Sequence, residues 1–295
     1  MAAADQAAAV RRALESSGWA RGSRLALLDF DVTTYSDDPA VLELVDALYG
    51  AVLAPGVGHH VLSLGRASDG ERAGVVVALD GVPIVRTTAP SIAFAHLVFE
   101  ANQQALLATS GVVLHAAAAV LGKVAVVLPG RMGAGKSTLV AGLAAAGAGY
   151  LTDEIVALAP ENGCVRPYPK PVSLGIPPPE LDGITRGAPA GASEYFTGVL
   201  VPAHALPGGV GSPTPPGLVV LPTYEPDAPV AVQRLDPVES VVALAEHAFH
   251  LEQPGGLRAL AEAFRDVPCY RLTGGSLPGA VNAVHELTGR AVASA

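Results

Sequence analysis

One short segment has the residue types and spacing that suit the binding of a nucleotide phosphate. It fits the pattern G-x-x-x-x-G-K-[ST] with Gly130, Arg131, Met132, Gly133, Ala134, Gly135, Lys136, Ser137 and Thr138. The glycines allow successive backbone N–H groups to point at an anion, while the start of a following helix and the lysine add positive charge. Ser137 is left to bind a magnesium ion. We predict that these residues, called the glycine loop below, bind a nucleoside triphosphate.

The residues on either side of the glycine loop predict the elements that must hold it. Residues 124–128 are apolar and predict a strand, and residues 137–146, followed by Gly147, predict a helix. Lysine occurs only at positions 123, 136 and 170 among 18 basic residues. Because the chain otherwise uses arginine, a lysine in the glycine loop favours a specific role for its ammonium. The alternative is a glycine-rich turn without a ligand. Arg131 either contacts phosphate or points to solvent.

Two neighbouring acids are the first candidates for chemistry beyond phosphate binding. Asp153 and Glu154 interrupt residues 150–158, which predict a strand. A right-handed crossover would return this strand beside the one leading into the glycine loop, with its carboxyl end near the phosphates. The alternative is an ordinary polar strand end or a helix cap.

Histidines and a third lysine give weaker signals. His115 lies within residues 111–122, which predict a buried strand, and is either a site residue or a core histidine bonded to backbone. Lys170 either reaches a phosphate of donor or substrate, or lies in a solvated loop. His247 and His250 form H-x-x-H on a predicted helix over residues 240–250, where the sequence favours a core role over a metal site.

Composition excludes several classes of partner. The chain has 295 residues, half of them apolar, which is enough for a sizeable core. A net charge of -9 argues against nucleic acid, and residues 111–122 are too short to span a bilayer, so no membrane partner is expected. Residues 1–6 lack the basic start and apolar stretch of a signal peptide, and there are only 2 cysteines, so a cytoplasmic location is predicted.

The order of predicted elements indicates two domains. Residues 1–104 predict a small α+β domain, in which residues 24–32 read as a strand and Asp38 as the cap of a helix ended by Gly50. Residues 105–295 form the second domain. Its proline- and glycine-rich segment, at about 167–217, either selects the substrate or is weakly structured.

Four blocks in order resemble the HPr kinase/phosphorylase-related proteins, in the divergent bacterial branch often linked to peptide or small-molecule biosynthesis. They are residues 114–117, 136–139, 147–154 and 168–174, and the resemblance covers about residues 90–285. It implies an α/β fold with a P-loop kinase domain of the HPr kinase and phosphoenolpyruvate carboxykinase type. It further implies that Asp153 is the base toward the accepting hydroxyl and that His115 orients or tunes the site. Glu154 stands where the family has a second aspartate.

These observations predict an ATP- and Mg²⁺-dependent kinase that transfers the γ-phosphoryl group to a hydroxyl of a peptide, protein or small molecule. The predicted catalytic residues are Asp153, His115 and Lys136, the metal residues Ser137, Asp153 and Glu154, and the substrate residue Lys170. The family's later glutamate-isoleucine-arginine-glycine segment is not matched, so phosphorolysis and HPr as substrate are not implied. The alternative is a nucleotide-binding or hydrolysing regulatory module without an acceptor. No N-K-x-D segment supports a guanine switch, and no L-S-G-G-Q segment supports a transporter ATPase.

Overall fold

The computed structural model describes residues 3–67, 74–195 and 198–294, which form two compact units. The first unit contains the residues up to Thr109 together with 188–202, and the second contains 110–187 and the residues from 203 onward. The boundary predicted near residue 105 falls inside a helix, and the assignment of 188–202 to the first unit was not predicted. Met1 and Ala2 belong to the segment that lacks the sequence features of a signal peptide, and they lie outside the described residues.

The described residues form both helices and strands, interspersed along the chain, so the protein is mixed α/β. They are α1 Ala3–Ser16, β1 Ala20–Leu27, β2 Phe30–Ser36, α2 Pro39–Tyr49, β3 Leu53–Ala54, β4 His60–Arg66, β5 Val75–Leu79, β6 Val82–Thr87, α3 Pro90–Ala108, β7 Val113–Leu121, β8 Val124–Pro129, α4 Lys136–Ala145, β9 Gly149–Thr152, β10 Ile155–Ala157, β11 Val172–Leu174, α5 Asp182–Thr185, α6 Ala192–Tyr195, β12 Val199–Val201, β13 Pro216–Tyr224, β14 Ala231–Arg234, α7 Pro237–Ala245, β15 Ala248–Phe249, α8 Gly256–Ala263, β16 Cys269–Gly274 and α9 Leu277–Ser294. Across this part of the chain, none of the helices combines the length and the apolar character needed to cross a bilayer.

The first unit is built on a sheet with the strand order β3-β1-β2-β4-β5-β6. Helix α2 packs on β1 and β2, and α3 packs on β4, β5 and β6. The predicted start of α2 is confirmed, since the Asp38 side chain accepts a hydrogen bond from the Ala40 N–H at 3.0 Å.

The prediction of a single strand over residues 24–32 is wrong. The chain turns at Leu28, which has a φ of 57°, so that β1 and β2 form an antiparallel hairpin. Leu27 and Phe30 on either side of the turn are both buried. The apolar pattern therefore continues through the turn formed by Leu28 and Asp29, in which Asp29 is the only turn-favouring residue and gives a weak local signal.

The second unit has a sheet with the strand order β10-β7-β8-β13-β16-β14, with β9 and β15 also paired to β7. Strands β8, β13 and β16 are parallel, whereas β7 is antiparallel to β8. Helices α4 and α9 pack against each other and against strands of this sheet, and α7 packs with α8 and β16. The carboxyl ends of the three parallel strands therefore meet at one edge, where the glycine loop begins.

The strand that follows the glycine-loop helix does not lie beside β8, contrary to the sequence prediction. Strand β9 pairs with β7 instead, and β7 is hydrogen-bonded to β8 on its other side. One flank of β8 is already taken by its hairpin partner β7 and the other by β13, so the crossover must skip a strand. Because β7 is antiparallel to both neighbours, β9 still runs parallel to β8, and its carboxyl end reaches the edge that was predicted.

The helix predicted over residues 240–250 starts and ends earlier. Helix α7 begins behind a capping box formed by Asp236 and Glu239, and residues 248–249 form β15 on β7. His250 has a φ of 62°, so His247 and His250 do not share a helix face. The proline-rich segment at 167–217 contains the short elements β11, α5, α6 and β12 between irregular stretches.

Candidate functional site

The strand, loop and helix predicted around the glycine loop are all present. Strand β8 ends at Pro129 and α4 begins at Lys136. Gly133 and Gly135 have φ values of 83° and 93°, in the left-handed region that favours glycine. Gly135 is the N-cap of α4 and no side chain caps the helix. The first N–H groups of α4 therefore carry the partial positive charge of a helix start without a side-chain acceptor.

Lys136 is turned inward and only 6% exposed. Its ammonium donates to the carbonyl oxygens of Gly130 at 2.7 Å and Arg131 at 3.1 Å, and lies 3.1 Å from Nε2 of His115. These contacts use all three protons of the ammonium, so a phosphate oxygen must replace one of the three acceptors. Burial lowers the pKa of Lys136 below its usual value, and the carboxylates of Glu154 and Asp153 act in the opposite direction.

His115 lies between Lys136 and Glu154. It is on β7, next to the pair formed by Ala116 and Pro129, which places it beside the start of the glycine loop. Burial and the Lys136 ammonium lower the pKa of His115, so the ring is neutral near pH 7. Because an ammonium can only donate, Nε2 is the accepting nitrogen and the ring proton lies on Nδ1. That nitrogen is 3.4 Å from Oε1 of Glu154.

The His115 ring is therefore not a core side chain bonded only to backbone, which was the alternative. Its backbone N–H does donate to the carbonyl oxygen of His247 at 2.7 Å, but the ring contacts two charged side chains. We call Lys136, His115 and Glu154 the outer cluster. Glu154 supplies the carboxylate of this cluster, and its side chain is 41% exposed.

Asp153 is enclosed, although it is the neighbour of Glu154 in the sequence. Its Oδ1 forms an ion pair with the Lys170 ammonium and accepts from the Tyr150 hydroxyl at 3.0 Å, and its Oδ2 accepts from the Ser173 N–H at 3.1 Å. The side chains of Asp153 and Lys170 are 1% and 3% exposed. We call these two residues the inner pair. Burial, reinforced by Asp153, raises the pKa of Tyr150 well above its usual value, which keeps its hydroxyl protonated as a donor.

Lys170 is not in a solvated loop, which was one of its two sequence interpretations. Its ammonium also donates to the carbonyl oxygen of Pro171 at 3.1 Å. A contact between Lys170 and a substrate phosphate stays a prediction, because it would require the inner pair to open. Sequence reasoning missed Tyr150 and Ser173, and no local pattern marks a hydroxyl or a backbone N–H as a partner of Asp153.

The remaining residues of the glycine loop differ in exposure. Met132 is 97% exposed, and the Arg131 side chain is 83% exposed with Nη2 at 3.8 Å from Oε2 of Glu246. Ala134, Ser137 and Thr138 are half-buried. The Arg131 side chain therefore points toward solvent. It is long enough to reach a phosphate if one were bound in the loop.

A cavity of about 220 Å³ lies beside the glycine loop. Its walls are Pro129, Gly130, Arg131, Ala134, Leu221, Pro222, Thr223, Ala243, Glu246, His247 and Arg271. Burial lowers the pKa of His247 despite the nearby Glu246. No sequence pattern predicts Thr223 or Arg271 at this cavity, since strands β13 and β16 lie far from the glycine loop along the chain.

Magnesium would have to bind mainly through the nucleotide. It prefers oxygen ligands and keeps several waters beside phosphate oxygens. Among the residues with described coordinates, no group of three or more His, Cys, Asp or Glu side chains could hold a metal ion. The Ser137 hydroxyl in the first turn of α4 fits such an ion, whereas both oxygens of Asp153 are occupied. A metal role of Glu154 stays a prediction.

Comparison with known proteins finds a distant structural relationship. An HPr(Ser) kinase/phosphatase from Coxiella burnetii superposes with a TM-score of 0.30 and 16% sequence identity, covering 60% of this chain and 98% of that chain. No protein-family model matches the sequence, and no curated protein matches it significantly. The roles of individual residues therefore rest on the geometry of the site.

Proposed function

We propose that this protein binds ATP with magnesium and transfers the γ-phosphoryl group to a hydroxyl of a peptide, protein or small-molecule acceptor. The observation that carries the proposal is the position of Lys136. Its ammonium lies inside the glycine loop, with His115 and then Glu154 on its outer side. A phosphate-binding cation thus adjoins an accessible carboxylate, which is the combination that transfer to a hydroxyl requires.

Phosphate binding follows from three groups that converge on the loop. The uncapped start of α4 offers backbone N–H groups, Lys136 offers a full charge, and the exposed Arg131 can close over the phosphates. When bound, magnesium supplies charge neutralisation at the phosphate oxygens, with Ser137 as its protein ligand.

Transfer itself needs a group that accepts or holds the proton of the attacking hydroxyl. Asp153 and Glu154 are the two carboxylates that directly follow β9, and the sequence resemblance implies the first. In a loose transition state the proton moves late, so positioning of the acceptor matters more than the strength of the base. The cavity beside the glycine loop, with its two arginines and one glutamate, is open to a polar acceptor.

The proposal is tested by Lys136→Ala, with Lys123→Ala as the matched control. Lys123 is exposed in the turn between β7 and β8, at the other end of those strands. Loss of the ammonium should weaken Mg-ATP binding roughly 30-fold or more in calorimetric titration, because a desolvated charge contact is lost. The control should bind as the wild type does. Equal affinity of Lys136→Ala and wild type would reject the phosphate site.

Transfer is tested separately from binding. Hydroxyl-bearing peptides and small molecules are incubated with the protein and Mg-ATP, and mass spectrometry follows the gain of one phosphate. A modified acceptor in the wild type, absent with Lys136→Ala, supports the kinase. Phosphate release that no acceptor changes would instead support the nucleotide-hydrolysing module.

A further inference from the structure

We infer that Glu154, and not Asp153, is the carboxylate that contacts the acceptor hydroxyl, and that Asp153 is a structural partner of Lys170. This inference rests on the proposed phosphoryl transfer and assigns the base within it. It differs from what the sequence resemblance implies, where the first acid of the pair has that role.

Asp153 is shielded from an incoming hydroxyl by burial and by three hydrogen-bond donors. Its two oxygens receive the Lys170 ammonium, the Tyr150 hydroxyl and the Ser173 N–H, and its side chain is 1% exposed. To reach a hydroxyl it would have to leave Lys170 as an unpaired ammonium in the interior, which is strongly unfavourable. The inner pair therefore holds the bend between β9 and β10 in place.

Glu154 has the access that Asp153 lacks. Its side chain is 41% exposed, and its Oε1 faces Nδ1 of His115. His115 contacts both the Lys136 ammonium and Glu154, so it links the two residues. Since Lys136 is the proposed ligand of the terminal phosphates, Glu154 is the carboxylate better placed for an attacking hydroxyl.

His115 accounts for the orientation of Glu154. With Nε2 accepting from Lys136, the ring proton lies on Nδ1, which is 3.4 Å from Oε1 of Glu154 and also interacts with the Glu154 backbone. One oxygen of Glu154 thereby lies beside the ring, and the other remains for the acceptor. The additional methylene of glutamate allows this carboxylate to lie across the site while its backbone keeps the bond from the Ala116 N–H to the Glu154 carbonyl oxygen at 3.2 Å.

Transfer with Glu154 as the base forms one bond to phosphorus and breaks another. The acceptor oxygen forms a bond to the γ-phosphorus, and the bond from that phosphorus to the β,γ-bridging oxygen breaks. The electron pair of the broken bond leaves with ADP. The acceptor proton passes to the carboxylate of Glu154, which returns it to solvent after the product departs.

The experiment compares Glu154→Gln, Asp153→Asn and the double variant Asp153→Asn with Lys170→Met. Mg-ATP affinity is measured by calorimetry, thermal stability by circular dichroism, and phosphoryl transfer by phosphate release from Mg-ATP with water as the hydroxyl acceptor. Glu154→Gln should keep ATP affinity and melting temperature close to those of the wild type and lose roughly 100- to 1,000-fold in kcat. Glu161→Gln, an exposed acid in a turn, is the matched control.

Asp153→Asn should lower the melting temperature, because it leaves the Lys170 charge buried and unpaired. In the double variant that charge is gone, so the melting temperature and most of the transfer should be restored. Restoration of transfer distinguishes a structural carboxylate from a catalytic one, since a missing base is not replaced by removing a lysine.

Two results with the variants would overturn the inference. One is Glu154→Gln with wild-type turnover, and the other is a folded double variant that binds ATP normally but has lost transfer 100-fold. Wild-type protein that binds Mg-ATP but releases no more phosphate than Lys136→Ala would also contradict it, while leaving nucleotide binding intact. Wild-type protein that binds no Mg-ATP would instead refute the proposed function.

Discussion

The inner pair and the outer cluster contain neighbouring acids, yet their surroundings differ. Asp153 is enclosed by Lys170, Tyr150 and the backbone of Ser173, so that each of its oxygens has a partner. Glu154 has Oε1 at 3.4 Å from Nδ1 of His115, and its side chain is 41% exposed. Closeness to the proposed phosphate site therefore does not by itself make an acid catalytic. A buried carboxylate whose oxygens already receive strong donors contributes to the fold, and an exposed one with an oxygen left over is available for chemistry.

The two regions should also differ in how they respond to mutation. Breaking a buried ion pair leaves an uncompensated charge in the interior and is strongly destabilising. A half-exposed contact such as that between Glu154 and His115 contributes little to stability, because solvent screens it. Substitutions in the inner pair should therefore change the free energy of unfolding, and substitutions in the outer cluster should change binding or turnover.

The largest effect is expected for Lys170→Met. It leaves the Asp153 carboxylate buried without its counter-charge and should lower the free energy of unfolding by about 3–5 kcal/mol. Lys123→Met, at an exposed turn, should change it by less than about 0.5 kcal/mol. Urea unfolding is followed by far-UV circular dichroism, since Trp19, the only tryptophan, lies in the first unit. A loss below about 1 kcal/mol would mean that Lys170 does not stabilise Asp153 in solution.

A smaller effect is expected for Tyr150→Phe. The hydroxyl is fully buried and donates to Asp153, so its removal should cost about 1–3 kcal/mol in the same urea experiment. Tyr224→Phe serves as control, because Tyr224 is 57% exposed. Equal stability of the two variants would show that the Tyr150 hydroxyl makes no net contribution to the inner pair.

The smallest effect is a pH dependence that belongs to the outer cluster. Burial lowers the pKa of His115 in the folded protein, so below its ordinary value near 6.5 the unfolded chain binds a proton that the folded chain does not. The free energy of unfolding should therefore fall as the pH decreases from about 7.5 through 6.5. His115→Gln should flatten this fall, and His285→Gln, at an exposed position on α9, should not. An unchanged slope in His115→Gln would contradict the assignment.

Much of the second unit could be predicted because its signals are local. The apolar run before the glycine loop, the glycines and the helix after them lie within about twenty residues, and β8, the loop and α4 are present as predicted. The same holds for α2, where Asp38 and Pro39 define the start. Capping and glycine conformations are properties of short segments, which explains why sequence patterns reveal them.

What could not be predicted depends on contacts between distant segments. The enclosure of Asp153 arises from Lys170 in an irregular stretch and from Ser173 in the three-residue strand β11, and no periodicity describes the path of this segment. The place of β9 depends on the flank of β8 being occupied by β7, which is a property of the whole sheet. The turn at Leu28 has Asp29 as its only turn-favouring residue. In each instance the deciding information is tertiary, and a local pattern carries little of it.

The exposed tip of the glycine loop offers a direct spectroscopic view of the site. The chain contains 2 methionines, Met1 and Met132, and the second is 97% exposed between Arg131 and Gly133. A sample labelled with ¹³C at the methionine methyl groups would thus report on the loop with a single internal resonance. Binding and release of the proposed nucleotide would be observable at that resonance in the unaltered protein, without a substitution or an attached dye.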